Sequence, residues 1–348
     1  MDFWHELPSP FFVLAPMANV TDAAFRQMIA KYGKPDVMYT EFVSADGLCL
    51  ADDEGKAKLM RDLLFTEEQK PIVAQFFTNK PEMMERAAAL AQKLGFDGVD
   101  INMGCPDRSI EKQNAGAKLM LNPKLAQELV AAAKRGAPKL PISVKTRLGY
   151  NKDDLEKWLP ALLEARPAAI IVHARTRKEM SKVPARWERI KRAVEIRDEM
   201  VSETLIVGNG DVVDLEDANI KAEESGADGV MLGRAVFGKP WLFKNASAKL
   251  LSENSSEAYG KSSASDRFAH APQPDFSPAL TTRLRIAAEH AALFEKLLGD
   301  VKNFSIMKKH FKAYAEGFPG AKELRMKLMA TNSAAEVKDI IETFILER

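Results

Sequence analysis

Cysteine is nearly absent: the 348 residues contain two, Cys49 and Cys105. Two cannot build a disulfide framework or complete a zinc site alone, so a reducing cytoplasm and no metal are expected. An excess of one charge sign is also missing. Fifty basic residues face 49 acidic ones, a formal net charge of +1. The whole chain is therefore no polycation, and a nucleic-acid partner would need a local patch. No apolar run of about 18 residues occurs, so no membrane span is expected. The N-terminal MDFWHELPSP has acids and an early proline, where a secretory signal needs a basic head and an apolar run.

What the chain has is ample core, with 46% hydrophobic and 28% charged residues. Short β-rich runs recur at 11–17, 37–43, 71–77, 98–104, 141–147, 168–174, 204–210 and 229–234. Between them lie stretches of helical periodicity that end at glycine, such as PEMMERAAALAQKLG and PKLAQELVAAAKRG. Eight strands alternating with helices predict a (β/α)8 TIM barrel, with a doubly wound sheet as the rival. Residues 252–278 are rich in Ser, Pro and Ala without periodicity. Helical pattern then returns. The expected organisation is a barrel over 1–250, a polar linker over 251–280 and a helical domain over 281–348.

Barrel enzymes work at the C-terminal ends of their strands. Those ends are polar here: Asn19, Glu41, Gln75, Asn102, Lys145, Arg147, His173, Arg175, Asn209 and Asp211 all fall there. Phosphates in such barrels bind the loops after strands seven and eight. Those loops are GNGDV and LGRAVFGKP, whose glycines open backbone N–H groups to an anion and whose Arg234 adds charge. GNGDVV matches GxGxxG poorly, because Val213 stands at the last glycine. A phosphate site together with Lys145 suggests FMN, since a cation at the end of strand five would stabilise charge on a reduced flavin. Gln75 would bond the ring edge, and His173 the ring or the phosphate-side oxygens. The plainer reading of Lys145 is a salt bridge with Glu41 or Asp100.

The blocks FFVLAPMANVTDAAFR, INMGCPDRSIEKQNAGAKLM, VKTRLG, VHARTR, GNGD and MLGRAVFGKPWLF, with MKKHFKAYAEGFPGAKELRMKLM near the end, resemble the tRNA-dihydrouridine synthases. The resemblance implies FMN-dependent reduction of uridine C5=C6 in tRNA, with NADPH as electron donor. It implies that Pro16, Met17 and Ala18 form a flavin loop, that Gln75, Lys145 and His173 are flavin ligands, and that Asn209, Gly210, Asp211, Gly233 and Arg234 lie on the phosphate side. Cys105 matches the family's proton donor. Three positions depart from the pattern: Asn19, Asn114 and Ala174 stand where the family commonly has glycine. Both asparagines tolerate left-handed backbone angles. The segment 178–187 also differs from the family.

Reducing C5=C6 needs a hydride at C6, from flavin N5, and a proton at C5 from the opposite face. A thiol is mostly protonated at pH 7 yet yields its proton readily. In this reading Gly104 lets the backbone turn sharply, Pro106 fixes the exit, and the loop to Gly116 carries the thiol as a lid. A helix N-terminus at Cys105 would lower its pKa and weaken it as an acid. Cys49 is expected in the core. Residues 302–327 hold seven basic residues against Glu316 and Glu323, with aromatics interleaved. The aromatics are expected inside, and Lys308 and Lys309 on tRNA phosphates. Asn102, Arg147, Arg175 and Arg177 are the other expected substrate contacts, around a base turned outward. A monomer is expected. Two rivals remain at this point: an FMN barrel acting on a small molecule of dihydroorotate or enoate type, and a non-catalytic RNA-binding protein.

Overall fold

The computed structural model describes residues 2–244 and 278–348. Eight parallel strands run β1 (Phe11–Leu14), β2 (Met38–Ser44), β3 (Ile72–Phe77), β4 (Gly98–Asn102), β5 (Ile142–Arg147), β6 (Ala169–His173), β7 (Leu205–Asn209) and β8 (Gly229–Leu232). They hydrogen-bond in the order β1-β8-β7-β6-β5-β4-β3-β2. A parallel bridge from Val13 to Val37 closes β1 onto β2. The expected (β/α)8 barrel is the fold, and each predicted run matches one strand, β2 alone running one residue past its predicted end.

Strand residues alternate between the barrel's interior and its helical jacket. Phe11, Val13, Tyr39, Val73, Ala169, Ile171, Val207 and Met231 form an inner cluster. Trp4, on a 3-10 turn at Phe3–Glu6, packs against that cluster and is 1% exposed. The same parity lifts every second residue toward the mouth: Asn102 pairs with Lys145, Arg147 with His173, and His173 with Asn209. A register shift between Tyr39 and Phe42 breaks the alternation on β2. It leaves Phe42, and not Glu41, in the cavity wall.

Nine described helices of the barrel region precede four C-terminal ones: α10 (Leu280–Leu298), α11 (Met307–Tyr314), α12 (Ala321–Ala330) and α13 (Ala334–Leu346). The expected linker lies outside the described residues except for 278–280. The C-terminal helices dock on the barrel's flank. His290 of α10 stacks on Phe25, from α1 (Ala23–Tyr32), with ring centroids 5.0 Å apart. Lys31 and Tyr32 of α1 both bond Glu289 at 2.6 Å. Lys302 pairs with Glu41 and Asp62, each at 2.6 Å. It therefore anchors the helices to the barrel, so the expected basic patch loses one member to this buried cluster. At Gly238 a Cβ would sit 2.6 Å from the Ala313 backbone, so only glycine allows α11 to approach so closely. Of the interleaved aromatics, Phe311 and Tyr314 are buried, as expected.

Candidate active site

A cavity of about 960 Å³ opens at the C-terminal ends of the strands, with α11 and the turn beyond it forming one side. Pro16, Met17, Asn102, Cys105, Lys145, Arg147, His173, Arg175, Asn209, Gly210, Asp211, Gly233, Arg234 and Lys309 all line it. Most of the residues expected at the site from sequence thus share one wall. All but Lys309 end a strand or belong to the loop beyond it.

Four do not. Ala18 is exposed outside the cavity lining. Gln75 is fully buried below the lining, its Nε2 donating to Asp100 and its Oε1 accepting from Asn102, which leaves one N–H and one lone pair of its amide uncommitted. Arg177 forms a two-pronged pair with Glu111 and lies over the Tyr150 ring. Lys308 is half-buried and off the lining. Two further cations of the wall, Lys239 and Lys312, are site residues that sequence reasoning missed. Spacing of three from Lys309 along α11 was the available signal for Lys312.

Lys145 has no carboxylate partner among the described residues, which removes the salt bridge expected as its plainer reading. Its Nζ has one hydrogen bond, to Asn209 Oδ1 at 3.3 Å. Burial, with help from Arg147, pushes its pKa down to about 8. The Asn209 amide in turn donates to the Met231 carbonyl at 2.7 Å, which fixes its oxygen toward Lys145. His173 is held well below the usual imidazole range, first by burial and then by Arg147, Lys145 and Arg175. Its Nε2 lies 3.0 Å from an Arg175 nitrogen. A guanidinium can only donate, so Nε2 accepts and the proton sits on Nδ1.

Arg175 is 2% exposed, donates to the Val183 carbonyl and pairs with Asp211. It is a brace for the β7 turn with little left for a substrate phosphate. Arg234 bonds the other Asp211 oxygen at 2.8 Å. Gly210 and Asp211 both have positive φ, 123° and 50°, which turns the chain back over the barrel mouth. Arg147 donates to the carbonyls of Gly104, Thr176 and Met180.

The Cys105 thiol is half-buried, and burial pushes its pKa up. The helix that follows is capped by Asp107, two residues on. The acidification that a helix end would bring is thus outweighed, and the thiol stays protonated at neutral pH. Gly104 does not have a positive φ, so it is not the sharp turn expected. A Cβ there would crowd the Thr146 backbone at 3.2 Å. Asn19, at φ 53°, and Asn114, at φ 55°, do adopt left-handed backbone. Gly116, at φ 60°, packs against the Cys105 carbonyl, which accepts from Ala117 at 3.0 Å. Cys49 is half-buried rather than fully in the core.

The family model described as "Dihydrouridine synthase (Dus)" matches residues 13–347. A probable tRNA-dihydrouridine synthase of Staphylococcus aureus strain COL is 38% identical over 99% of this chain and 95% of its own length. Probable tRNA-dihydrouridine synthase 2 of Bacillus subtilis strain 168 is 38% identical over 99% of this chain and 96% of its own. Among solved structures, histamine dehydrogenase from Rhizobium sp. 4-9 aligns with TM-score 0.50 and 13% identity, over 70% of this chain and 46% of that one. At that identity the likeness concerns the barrel alone.

Proposed function

The chain belongs to the dihydrouridine synthase family, whose members are flavin-dependent oxidoreductases, and we propose that it reduces the C5=C6 bond of uridine in tRNA to 5,6-dihydrouridine. The observation that carries the reading is one cavity wall holding both a free thiol, Cys105, and a buried cation without an ion partner among the described residues, Lys145.

The residues present fit FMN. Lys145 and the Nδ1–H of His173 offer donors to an electron-rich ring edge, and Pro16 and Met17 offer a short apolar contact. The turns at Gly210 and Gly233, with Arg234, suit a terminal phosphate. A flavin bound there supplies the hydride that C6 receives, and NADPH is the donor we assign for its electrons. Cys105 gives its proton to C5. Asn102, which also lines the cavity, orients the base beside it. Arg147 holds the Gly104 carbonyl and keeps the loop in place.

The cavity wall carries seven Lys and Arg side chains against Asp211 and Glu316. The side chains of Lys239, Lys309 and Lys312 have no hydrogen-bond or ion-pair partner among the described residues, and we assign them to the phosphates flanking the target nucleotide. Lys308, off the lining, keeps a role on more distant phosphates. Among the described residues no helix is long and apolar enough to cross a membrane. We assign the protein to the cytoplasm, where its tRNA substrate is, and to a monomeric state.

The purified protein should be yellow and release FMN on denaturation. With NADPH it should form dihydrouridine in unmodified tRNA and leave free uridine and small enones untouched. A colourless protein that binds tRNA, or equal turnover on free uridine, would favour one of the rival readings.

A further inference from the structure

We propose that Asp100 and Gln75 are positioning residues that set which end of the Asn102 amide faces the backbone of Cys105. The inference rests on the reading of Cys105 as proton donor. It is carried by a run of hydrogen bonds that crosses the barrel interior from β2 to the Cys105 loop.

Every link in the run has a defined direction. Ser143 Oγ donates to Asp100 Oδ1 at 2.7 Å. Its single hydrogen is then used, so the Tyr39 hydroxyl, 3.1 Å away, donates to it. Gln75 Nε2 donates to Asp100 Oδ2 at 2.7 Å. Asn102 Nδ2 donates to Gln75 Oε1 at 3.0 Å. Asn102 Oδ1 then accepts from the backbone N–H groups of Gly104, at 3.1 Å, and Cys105, at 2.9 Å. Tyr39, Gln75 and Asp100 are 0% exposed, Ser143 1% and Asn102 5%.

Burial pushes the Asp100 carboxyl up to about 7, with the bonds from Ser143 and Gln75 and the charge of Lys145 pulling it back, and once ionised it only accepts, so it dictates the orientation of everything above it. Reversing Gln75 would set its oxygen against the carboxylate and its NH₂ against the NH₂ of Asn102. Reversing Asn102 would set its NH₂ against two backbone donors. Buried donors facing donors are costly, so one orientation survives. With the N–H of Cys105 held by Asn102 and its carbonyl held by Ala117, the sulfur moves only by rotation of its own side chain. Asp100 is absent from the cavity lining and so acts on the reaction only through the side chains it orients.

Two variants break the run, Gln75→Met and Asp100→Leu. A third, Asp100→Asn, preserves it on the Cys105 side: the new amide accepts from Gln75 and donates to Ser143, whose hydroxyl turns to Tyr39. Two readouts are compared, steady-state dihydrouridine formation and alkylation of Cys105 by iodoacetamide, followed by mass spectrometry with Cys49 as internal reference. The breaking variants should lose about 10- to 100-fold in kcat, the cost of a misplaced reacting group, with KM for tRNA unchanged. Their Cys105 should alkylate roughly five- to tenfold faster as the loop loosens. Asp100→Asn should match wild type in both. Lower thermal stability with wild-type kcat and wild-type alkylation in the breaking variants would overturn the proposal. If Asp100→Leu does not fold, the alkylation rate of Gln75→Met decides alone. Alkylation needs neither flavin nor tRNA. A wild-type protein that forms no dihydrouridine but shows the alkylation pattern would refute the assigned reaction and leave the positioning role supported.

Discussion

The polar side chains inside the barrel and those between the barrel and the C-terminal helices are buried alike but partnered very differently. In the barrel, the run from Tyr39 to Asn102 leaves no side-chain polar atom unpartnered. At the seam, both ring nitrogens of His290 and of His310, and the Tyr314 hydroxyl, are buried without a partner. These rings pack as apolar bodies. His310 lies 4.7 Å from the Phe25 ring and 4.6 Å from His290, centroid to centroid. The seam's ion cluster of Glu41, Lys302 and Asp62 ties the helices to the barrel. Where direction serves chemistry, hydrogen bonds fix it. Where only adhesion is needed, stacking and one charge cluster suffice.

The comparison is broken most severely on the barrel side. Cys105→Ala should keep the fold and flavin binding while turnover falls by about 10²–10⁴, the usual share of a general acid. That is roughly 3–5 kcal/mol of barrier, read from single-turnover rates. Turnover equal to wild type would remove the acid role.

On the seam, Lys302→Ala leaves Glu41 and Asp62 facing each other, and should cost roughly 3 kcal/mol in denaturant unfolding, the lower end for a broken buried pair. Its pH dependence has a definite sign. Burial pushes the Glu41 carboxyl up to about 7, Lys302 pulling it back and Asp62 adding to the rise. A raised carboxyl favours the protonated folded state. Its contribution is full below the unfolded value of about 4.3 and is lost as pH rises through about 7. Without Lys302 the deficit should therefore be larger at pH 8 than at pH 6. An equal deficit at both would show that Glu41 is not the group left stranded.

Lys309→Glu with Lys312→Glu tests whether the seam's outer face meets RNA. Affinity for tRNA should fall, and the slope of log K against log salt should flatten by about one for each phosphate no longer neutralised. An unchanged slope would place the RNA elsewhere. The smallest effect is expected at His310→Phe. A ring without unpartnered nitrogens should leave stability unchanged or raise it by about 1 kcal/mol. A drop in stability would show that a partner for the imidazole is part of the seam.

Much of this was readable from the chain. Strand runs were legible because β-branched residues alternate with polar ones, and that parity delivers Lys145, Arg147, His173 and Asn209 to one rim. The glycine-rich turns announced the β7 and β8 ends. What stayed hidden is depth and distant pairing. Nothing local distinguishes Gln75, sealed below the cavity, from Asn102 at its wall. Lys302 looked like one more basic residue beside Lys308, because its partner Glu41 lies 261 residues away. Arg177 read as a phosphate contact because Glu111, which occupies it, is on the short helix after β4, 66 residues away.

The most direct measurement is a map of dihydrouridine in tRNA from cells lacking this protein, repeated after adding back wild type and Cys105→Ala. The account predicts that dihydrouridine disappears from specific positions and returns with wild type but not with Cys105→Ala. Unchanged dihydrouridine in the deletion strain, together with none formed by the purified protein supplied with FMN and NADPH, would contradict it.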